Sequence, residues 1–463
     1  MNKNIKLLLI IPFASSFLSG CSTPQFLGNG TTNNPYLIVS ASDVAKLSGL
    51  VFNGVEKYMT AHYKLTNDID MNNQSILSIG YSVDKQFKGT FDGGGFTISN
   101  FDTHISVDMG LFGYVGDKGM IKNLKIDNNI DYKFKATGTN IGGIVGYLSS
   151  GASIDNCSFT GSLNSLRKDT KYFNLNANRI NSFGLSDMIY ITRTDSTMGG
   201  IAGVSLGSIT NCYVSASLSG SVVGGIAGMN SGNISNCEVT DSTLTTSNVL
   251  GSFVGHMDNL TNAQEISIVN SRCSNVSLTS PTIVGGMVGA TTGRIKLANL
   301  SSYGMIKSIV DWDEYIHDCA FGDVIGCVMY KGIYSENEEN DIAEWKDKNI
   351  VNFSSCLSCF DYQLTGQERK AIMNFPYYTL GCTPNASNNL SVLRIKTDET
   401  KNYEFDKMII SNHNVFLDSN SNIQLDDAKE LSLLNKSEAA TLLNKKENEL
   451  KEITVNGLKG YSY

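Results

Sequence analysis

The stretch that decides the fold is Gly142-Gly143-Ile144-Val145-Gly146, because it recurs along the chain. Close copies occupy residues 199–203, 224–228 and 285–289, weaker copies occupy 251–255 and 322–326, and 110–113 is an earlier relative. Starting from Gly142, each block begins 57, 25, 27, 34 and 37 residues, in that order, after the start of the block before it. Self-similarity at such intervals is typical of repeat architectures, in which each unit packs only on its neighbours.

A second element follows each Gly block and has the pattern Ile-x-Asn-Cys followed, after one residue, by Val or Phe. It begins at Ile154, Ile209 and Ile234, with looser versions at 269–273 and 353–356. These pieces are short, β-rich and bounded by Gly, Asn and Ser, and none has a helical period. A unit this small cannot bury its own apolar face, so the pattern predicts coils stacked into a β-solenoid with one continuous core.

Within the second element, Cys and Val lie two residues apart and are expected to point to the same side of a strand. The Asn is expected at a bend, where stacked amides would hydrogen-bond along the solenoid axis. Five repeat cysteines are expected inside as small apolar side chains: Cys157, Cys212, Cys237, Cys273 and Cys356. A disulfide between neighbouring coils stays an open alternative, since coils lie about 4.8 Å apart.

Together the Gly blocks and the Ile-x-Asn-Cys element resemble the GLUG motif of bacterial extracellular proteins. Upstream segments at 34–39, 63–70 and 87–98, with a helix-like stretch at 41–50, resemble the entry module of those proteins. The resemblance covers roughly residues 29–360. It implies an all-β, right-handed parallel β-helix with an N-terminal cap helix. Similar repeats occur in surface adhesins and in accessory regions of IgA-cleaving metallopeptidases.

The first residues predict export. Lys3 and Lys6 precede an apolar run at 7–13, which is too short to span a bilayer but is typical of a secretory signal. Residues 18–21, Leu-Ser-Gly-Cys, resemble the bacterial lipobox. That resemblance implies a signal peptide at 1–20, cleavage before Cys21 and acylation of its sulfur, followed by a tether at 21–34. In a cell with two membranes, Ser22 rather than Asp after the acylated residue favours the outer membrane or cell surface.

Three insertions interrupt the repeat region of 35–360, near 164–196, 307–319 and 331–349. Insertions in a solenoid become loops, often on the binding face. Aromatic residues beside charges in these loops are the predicted contacts for a host or environmental glycan or protein: Tyr172, Phe173, Trp312, Tyr315 and Trp345. Packing of these side chains onto the coils is the alternative interpretation. After residue 360 the pattern fails, so 361–463 is predicted to form a small α+β cap or accessory region.

Composition narrows the possible functions further. The 463 residues are 41% hydrophobic, which suffices for a core, and the net charge of −8 without basic runs disfavours nucleic acid as a partner. The sequence lacks a His-Glu-x-x-His zinc motif and an Asp-x-Asp-x-Asp-Gly calcium loop. Cys356 and Cys359 have metal-ligand spacing but no second pair. No metal or cofactor is therefore predicted.

Paired carboxylates are the remaining basis for an enzyme. Asp68 and Asp70 share a predicted strand face and Asp92 follows one coil later, so a carbohydrate-active β-helix enzyme is the alternative hypothesis. Turn formation by these residues is the preferred interpretation. The sequence thus predicts a lipid-anchored, non-catalytic surface solenoid that displays loops for adhesion. A structural lipoprotein of the envelope is a third hypothesis.

Overall fold

A computed structural model describes most of the repeat region and parts of the C-terminal region. The described residues are 25–103, 107–132, 139–165, 196–259, 264–281, 283–308, 320–328, 350–363, 378–382, 437, 446–449, 451–455 and 458–462. They form a parallel β-solenoid with few helices. This confirms the solenoid predicted from the repeats. The signal segment, Cys21 and the five predicted binding residues lie outside the described residues.

The first turn is mostly helical. It consists of strand β1 (Tyr36–Ile38), helix α1 (Ala41–Phe52) and the short helix α2 (Glu56–Met59). Ser40 caps α1, because its Oγ accepts a hydrogen bond from the backbone N–H of Asp43. Val44, Leu47 and Val51 are buried against the core of the next turn. The predicted cap helix is therefore present.

The following turns are built from short strands. Those from the second to the fifth turn are β2 (His62–Leu65), β3 (Ile69–Ile76), β4 (Thr90–Asp92), β5 (Thr97–Thr103), β6 (Asp108–Met109), β7 (Phe112–Val115), β8 (Met120–Lys122), β9 (Lys125–Asp131), β10 (Asn140–Gly142), β11 (Val145–Leu148), β12 (Ser153–Asp155) and β13 (Ser158–Asn164). A 3-10 helix, Val83–Lys85, precedes β4.

Later strands lengthen and bend from one sheet into the next. They are β14 (Thr197–Gly199), β15 (Ala202–Ser205), β16 (Ser208–Thr210), β17 (Tyr213–Gly224), β18 (Ala227–Asn230), β19 (Asn233–Ser235), β20 (Glu238–Gly251), β21 (Val254–Asp258), β22 (Ile266–Ser280), β23 (Ile283–Gly285), β24 (Val288–Thr292), β25 (Arg294–Ser308), β26 (Ala320–Val328), β27 (Ile350–Gln363) and β28 (Tyr378–Cys382).

Four parallel sheets run along the solenoid, and the chain visits them in order in each complete turn. Sheet 1 holds β1, β2, β4, β8, β12, β16, β19 and the first parts of β22, β25 and β27. Sheet 2 holds β3, β5, β9, β13, the first parts of β17 and β20, and the later parts of β22, β25 and β27. Sheet 3 holds β6, β10, β14, the ends of β17 and β20, β23 and the start of β26. Sheet 4 holds β7, β11, β15, β18, β21, β24, the end of β26, and β28.

The corner between sheets 1 and 2 is made by asparagine. The repeat asparagines Asn123, Asn156, Asn211, Asn236, Asn270 and Asn299 have φ between 51° and 55°. Asn tolerates this left-handed conformation better than most residues. Asn156 Nδ2 donates to Asn123 Oδ1 over 2.7 Å, and Asn299 Nδ2 donates to Asn270 Oδ1 over 2.9 Å. Asn236 Nδ2 likewise donates to Asn211 Oδ1, so the predicted axial amide ladder is present at these three steps, whereas Asn211 itself donates to Asp155 Oδ1.

The corner between sheets 3 and 4 is made by the Gly blocks. A Cβ on the first glycine, as in Gly142 or Gly224, would overlap the carbonyl oxygen three residues later. A Cβ on the third glycine, as in Gly146, would overlap the sheet 3 backbone of the preceding turn. The repeat therefore needs glycine for close backbone approach rather than for a left-handed φ.

Three repeat cysteines stack as predicted, but the column contains other residues too. Cys157, Cys212 and Cys237 are free, buried and aligned on neighbouring turns. The prediction was wrong for Cys273, because the register aligns it with Val239 and places Ser271 beside Cys237. Leu300 and then Cys356 continue the column. Cys273 is nevertheless buried and free, as expected of a small apolar side chain in the core.

Both ends of the packed chain differ from the sequence boundaries. Phe26 is buried and Leu27 bridges to Leu37, so part of the segment assigned to a tether belongs to the cap. The solenoid also continues past residue 360, since β27 ends at Gln363 and Cys382 of β28 pairs with Cys327. No Gly block marks this last turn. The described C-terminal residues include a 3-10 helix, Glu447–Glu449, and an antiparallel hairpin of β29 (Lys451–Val455) and β30 (Leu458–Ser462).

Candidate functional site: the loop edge of the solenoid

Two of the three insertions leave the solenoid at the same corner, between sheets 2 and 3. The chain departs after β13 and returns at β14, and it departs again after β25 and returns at β26. We call this corner the loop edge. The two departure points are four turns apart, or about 19 Å along the axis. The segments that carry Tyr172, Phe173, Trp312 and Tyr315 therefore leave and rejoin the solenoid at the same edge.

The third insertion does not share this edge. It lies between β26, which ends in sheet 4, and β27, which begins in sheet 1. Trp345 is thus carried by a segment rooted at a different corner from the other four predicted binding residues. The sequence could not distinguish the third insertion from the other two, because it does not show at which corner of the solenoid each insertion lies.

The first insertion is closed at its base by the solenoid itself. Ser165 N–H donates to Ser219 O, and Ser165 Oγ lies 3.0 Å from Ser196 Oγ in a hydrogen bond. On either side of the insertion the register continues, with Asn164 beside Ser219 and Thr197 beside Val222. The insertion therefore interrupts the sequence repeat without interrupting the stacked sheets.

Sheet 2 presents an uncharged hydroxyl surface next to the loop edge. One outward column consists of Ser162, Ser217, Thr243 and Ser277, and a second consists of Ser219, Thr245 and Thr279. The leucines between these columns point into the core. Hydroxyls in one column repeat about every 4.8 Å, and those along one strand about every 6.7 Å. The sequence analysis missed this surface, although the Ser alternation at 213–219 was a visible signal.

A buried acid begins sheet 3 just beyond the loop edge. Asp108 Oδ1 accepts a hydrogen bond from Asn140 Nδ2 over 2.7 Å, and Asn140 Oδ1 accepts one from Thr197 Oγ1 over 2.9 Å. Burial raises the pKa of Asp108 to about 6, although the Asn140 hydrogen bond opposes this. The rings of Tyr114 and Tyr147 stack nearby, with centroids 4.6 Å apart. Burial raises the pKa of both phenols, and the Asp108 carboxylate adds to this.

The carboxylates of the enzyme hypothesis accept hydrogen bonds from backbone N–H groups and asparagine side chains. Asp68 Oδ1 accepts from Thr97 N–H, and Asp70 Oδ1 accepts from Asn72 N–H and Asn100 Nδ2. These bonds to Asp70 lower its pKa, the Asn72 contribution being larger.

Asp92 is the third of these carboxylates. Burial opposes its ionisation, but hydrogen bonds from Asn123 and Gly94 and the charges of Lys122 and Lys64 outweigh burial and lower its pKa. The general acid of a glycosidase needs a raised pKa, so the lowered pKa values of Asp70 and Asp92 do not support that role for either residue.

Two properties of the described residues bear on metals and membranes. No group of three His, Cys, Asp or Glu side chains in this part of the chain could hold a metal ion. Among the same residues, no helix combines the length and apolar character that crossing a bilayer requires.

Comparison with known proteins identifies the repeat. Residues 137–164 match the family model described as the GLUG motif. Halomucin of Haloquadratum walsbyi is 32% identical over 151 residues, which are 30% of this chain and 2% of halomucin. A protein of Evansella cellulosilytica assigned as a Gly-rich membrane protein is 29% identical over 101 residues, 21% of this chain and 12% of the relative. The matched segments thus span only a small part of either relative.

Solved structures match this chain at low similarity. A protein of Bacteroides ovatus assigned as an immunoglobulin A1 protease has 23% identity and a TM-score of 0.41, covering 69% of this chain and 90% of that one. An IgA1 protease has 12% identity and a TM-score of 0.33, covering 80% of this chain and 26% of that one. Together, the described structure and the motif match define the chain as a parallel β-solenoid that carries the GLUG motif.

Proposed function

We propose that this protein is a lipid-anchored, non-catalytic component of the bacterial cell envelope, whose solenoid displays loops that bind a glycan or protein ligand. The observation that carries the proposal is the loop edge, where insertions of 30 and 11 residues leave the same corner of the solenoid. Solenoids commonly place their insertions on the binding face.

Three observations support an envelope location. The lipobox-like residues 18–21 follow an apolar run preceded by two lysines. Residues 137–164 carry the GLUG motif. One relative that shares part of the repeat region is assigned as a membrane protein. Acylation of Cys21 with more than one chain would give stable anchoring.

Binding by the loop edge is tested with deletions that match the natural turn lengths. Joining Ser165 directly to Ser196 reproduces the two-residue connection of the next turn, Gly220-Ser221. The control deletes 330–348 at the other corner and leaves Met329 and Asn349, which matches the two-residue connection Thr292-Gly293. Each variant is applied to an array of mucin-type glycoproteins, polysaccharides and matrix proteins.

We expect the full chain to bind one class of probe, the 166–195 deletion to lose at least tenfold in affinity, and the control to keep it. The double substitutions Tyr172→Ala with Phe173→Ala and Trp312→Ala with Tyr315→Ala then locate the contacts. Equal binding by both deletions would contradict a role for the loop edge. Loss of binding only in the control would assign the ligand to the segment that carries Trp345.

Anchoring is tested separately with Cys21→Ser. The parent should fractionate with membranes and be removed by protease from intact cells, whereas the variant should be released from the membrane fraction. Protection of the parent until the outer layer is opened would favour the structural envelope lipoprotein over the adhesin.

A further inference from the structure

The N-terminal cap carries a concentration of exposed apolar side chains. Within the described residues, large hydrophobic side chains that are more than a third exposed number nine, and five of them belong to the cap region. We call these five the cap patch; their exposed fractions range from 37% to 66%: Leu27, Val39, Phe52, Val55 and Val83. The other four are scattered along the coils: Val107, Met120, Tyr213 and Tyr303.

The cap patch lies at the end of the solenoid rather than on its side. Helix α1 replaces the strands of sheets 2, 3 and 4 in the first turn and covers the core of the second. Ser48 on its inner face donates to Leu77 O. By contrast, a Cβ on Gly49 would meet no atom within 4 Å. The face of α1 that carries Gly49 therefore does not pack against the coils.

The patch flanks both ends of α1. Val39 precedes the Ser40 cap, and Leu27 bridges to Leu37 in the strand before it. At the other end, the Phe52 ring packs edge-on against Tyr81, with centroids 5.4 Å apart. Val83 begins the 3-10 helix that ends at Lys85, whose ammonium group lies over Gly54. An α-helix of 12 residues separates the two ends by about 18 Å.

The length of chain between the anchor and the cap limits how far the patch can be from the membrane. Phe26 is buried in an aromatic cluster, 5.4 Å from Tyr36 and 5.8 Å from Tyr63 between ring centroids. Phe26 lies five residues after Cys21 in the sequence. Five residues span at most about 18 Å. A protein held by acyl chains on Cys21 therefore keeps Phe26, and with it the adjoining end of the cap, within this distance of the lipid headgroups.

The charges around the patch nearly cancel. Lys46 Nζ lies 3.2 Å from Asp43 Oδ1, and it also sits over the Phe26 ring. Glu56 and Lys57 are adjacent, as are Asp84 and Lys85. Such a surface contacts zwitterionic lipid without repulsion, and its lysine side chains can extend to the headgroups.

We propose that the cap patch is a membrane-contact surface, which seats the N-terminal end of the solenoid on the bilayer that holds Cys21. The inference rests on the acylation in the proposed function and adds an orientation to it. With the cap on the membrane, the solenoid axis points away from the bilayer. The departure points of the two loop-edge insertions then lie four and eight turns above β1, at about 19 and 38 Å.

The test uses tryptophan as a depth reporter in the full, acylated chain. Both natural tryptophans are replaced by Trp312→Phe and Trp345→Phe, and the reporter is Phe52→Trp. The protein is reconstituted into phosphatidylcholine vesicles with and without brominated acyl chains, which quench only at contact. Leu27→Trp is a second, independent reporter at the other end of α1. Tyr303→Trp, on an exposed site of β25 far from the cap, is the matched control.

We expect brominated lipid to reduce the emission of the Phe52→Trp and Leu27→Trp reporters at least twofold and to leave the Tyr303→Trp control unchanged. Vesicle flotation is measured on the same samples. If the protein floats with the vesicles but neither cap reporter is quenched, anchoring holds and the membrane-contact surface is wrong. If the protein does not float, the acyl anchor itself is wrong. Quenching of the control to the same extent would overturn the proposed orientation.

Discussion

Ser165 Oγ and Ser196 Oγ lie 3.0 Å apart, although 30 residues of sequence separate them. This hydrogen bond joins the two ends of the first insertion at the level of a single turn. The strands before and after it keep their register with the next turn. The solenoid is therefore complete without the insertion, and the insertion is free to serve another role.

Deleting residues 166–195 is expected to leave the fold intact and its stability equal or higher. Shortening a connection from 32 residues to 2 lowers the entropic cost of loop closure by about 2 kcal/mol. The urea midpoint and the β-sheet signal in circular dichroism measure this. A midpoint well below that of the parent would show that the insertion contributes to the core of the fold.

Glycine at the corner of sheets 3 and 4 should resist substitution. We expect Gly224→Ala to lose at least about 3 kcal/mol or to fail to fold, because its Cβ would overlap the carbonyl oxygen of Ala227. Gly49→Ala is the matched control, since space is open at that site within α1 and alanine should add about 0.5–1 kcal/mol. Equal unfolding free energies for the two variants would contradict the close approach at this corner.

The asparagine corner should depend on both conformation and hydrogen bonding. Asn211 has φ of 54°, donates to Asp155 and accepts from Asn236. Asn211→Gly keeps the conformation and should cost about 1 kcal/mol for the lost bonds. Asn211→Val adds a β-branched side chain in the left-handed region and should cost about 1–3 kcal/mol more.

The control for the corner is Ser217→Val, on an exposed strand position where β-branching is favourable. Chemical denaturation of the three variants ranks them. A Val variant at residue 211 as stable as the Gly variant would mean that the corner does not need the left-handed conformation.

The core cysteines should be unreactive in the folded protein. Burial raises the pKa of Cys157 to about 12 and that of Cys212 well above its usual value. Few thiolates therefore form at pH 8, where alkylation needs them. Peptide mapping after iodoacetamide treatment should find Cys157, Cys212 and Cys273 labelled only after unfolding. A disulfide between Cys212 and Cys237 in protein isolated from cells would contradict this prediction.

Stability should depend on the protonation of Asp108. Its folded pKa of about 6 lies above the value of 3.8 for an unperturbed Asp, so the folded state binds the proton more tightly. Its contribution is therefore most favourable below pH 4 and is lost as the pH rises through 6. The loss amounts to on the order of 2–3 kcal/mol.

Asp108→Asn should remove this dependence, because the amide keeps an acceptor for Asn140 without the charge. We expect the variant to exceed the parent in urea midpoint at pH 7.5 and to match it near pH 4. Asp127→Asn, on an exposed site of β9, is the control for a general charge effect. If the urea midpoint of Asp108→Asn varies with pH in the same way as that of the parent, Asp108 is not the source of the pH dependence.

The sequence analysis reached the fold because each turn repeats the same local requirements. Gly142 and its copies mark places where backbones touch, and Asn156 and its copies mark a left-handed corner. The sequence analysis misplaced Cys273 because the looser repeat at 269–273 can be aligned with either Cys273 or Ser271 beside Cys237. These two alignments differ by two residues, and Cys273 points into the core in both. Only backbone pairing distinguishes them. It also ended the solenoid at 360, since β28 carries no Gly block.

For the candidate site, the sequence alone determined that insertions interrupt the repeat and that they contain aromatic residues. It also determined the stacking, because units too small to bury their own apolar face must pack on each other. The tertiary structure decided which interruptions share a corner. The segments after Asn164 and after Ser308 are rooted on one edge, and the segment after Val328 is rooted on another. This follows from the path of the chain around four sheets, which brings residues over 100 positions apart to the same edge.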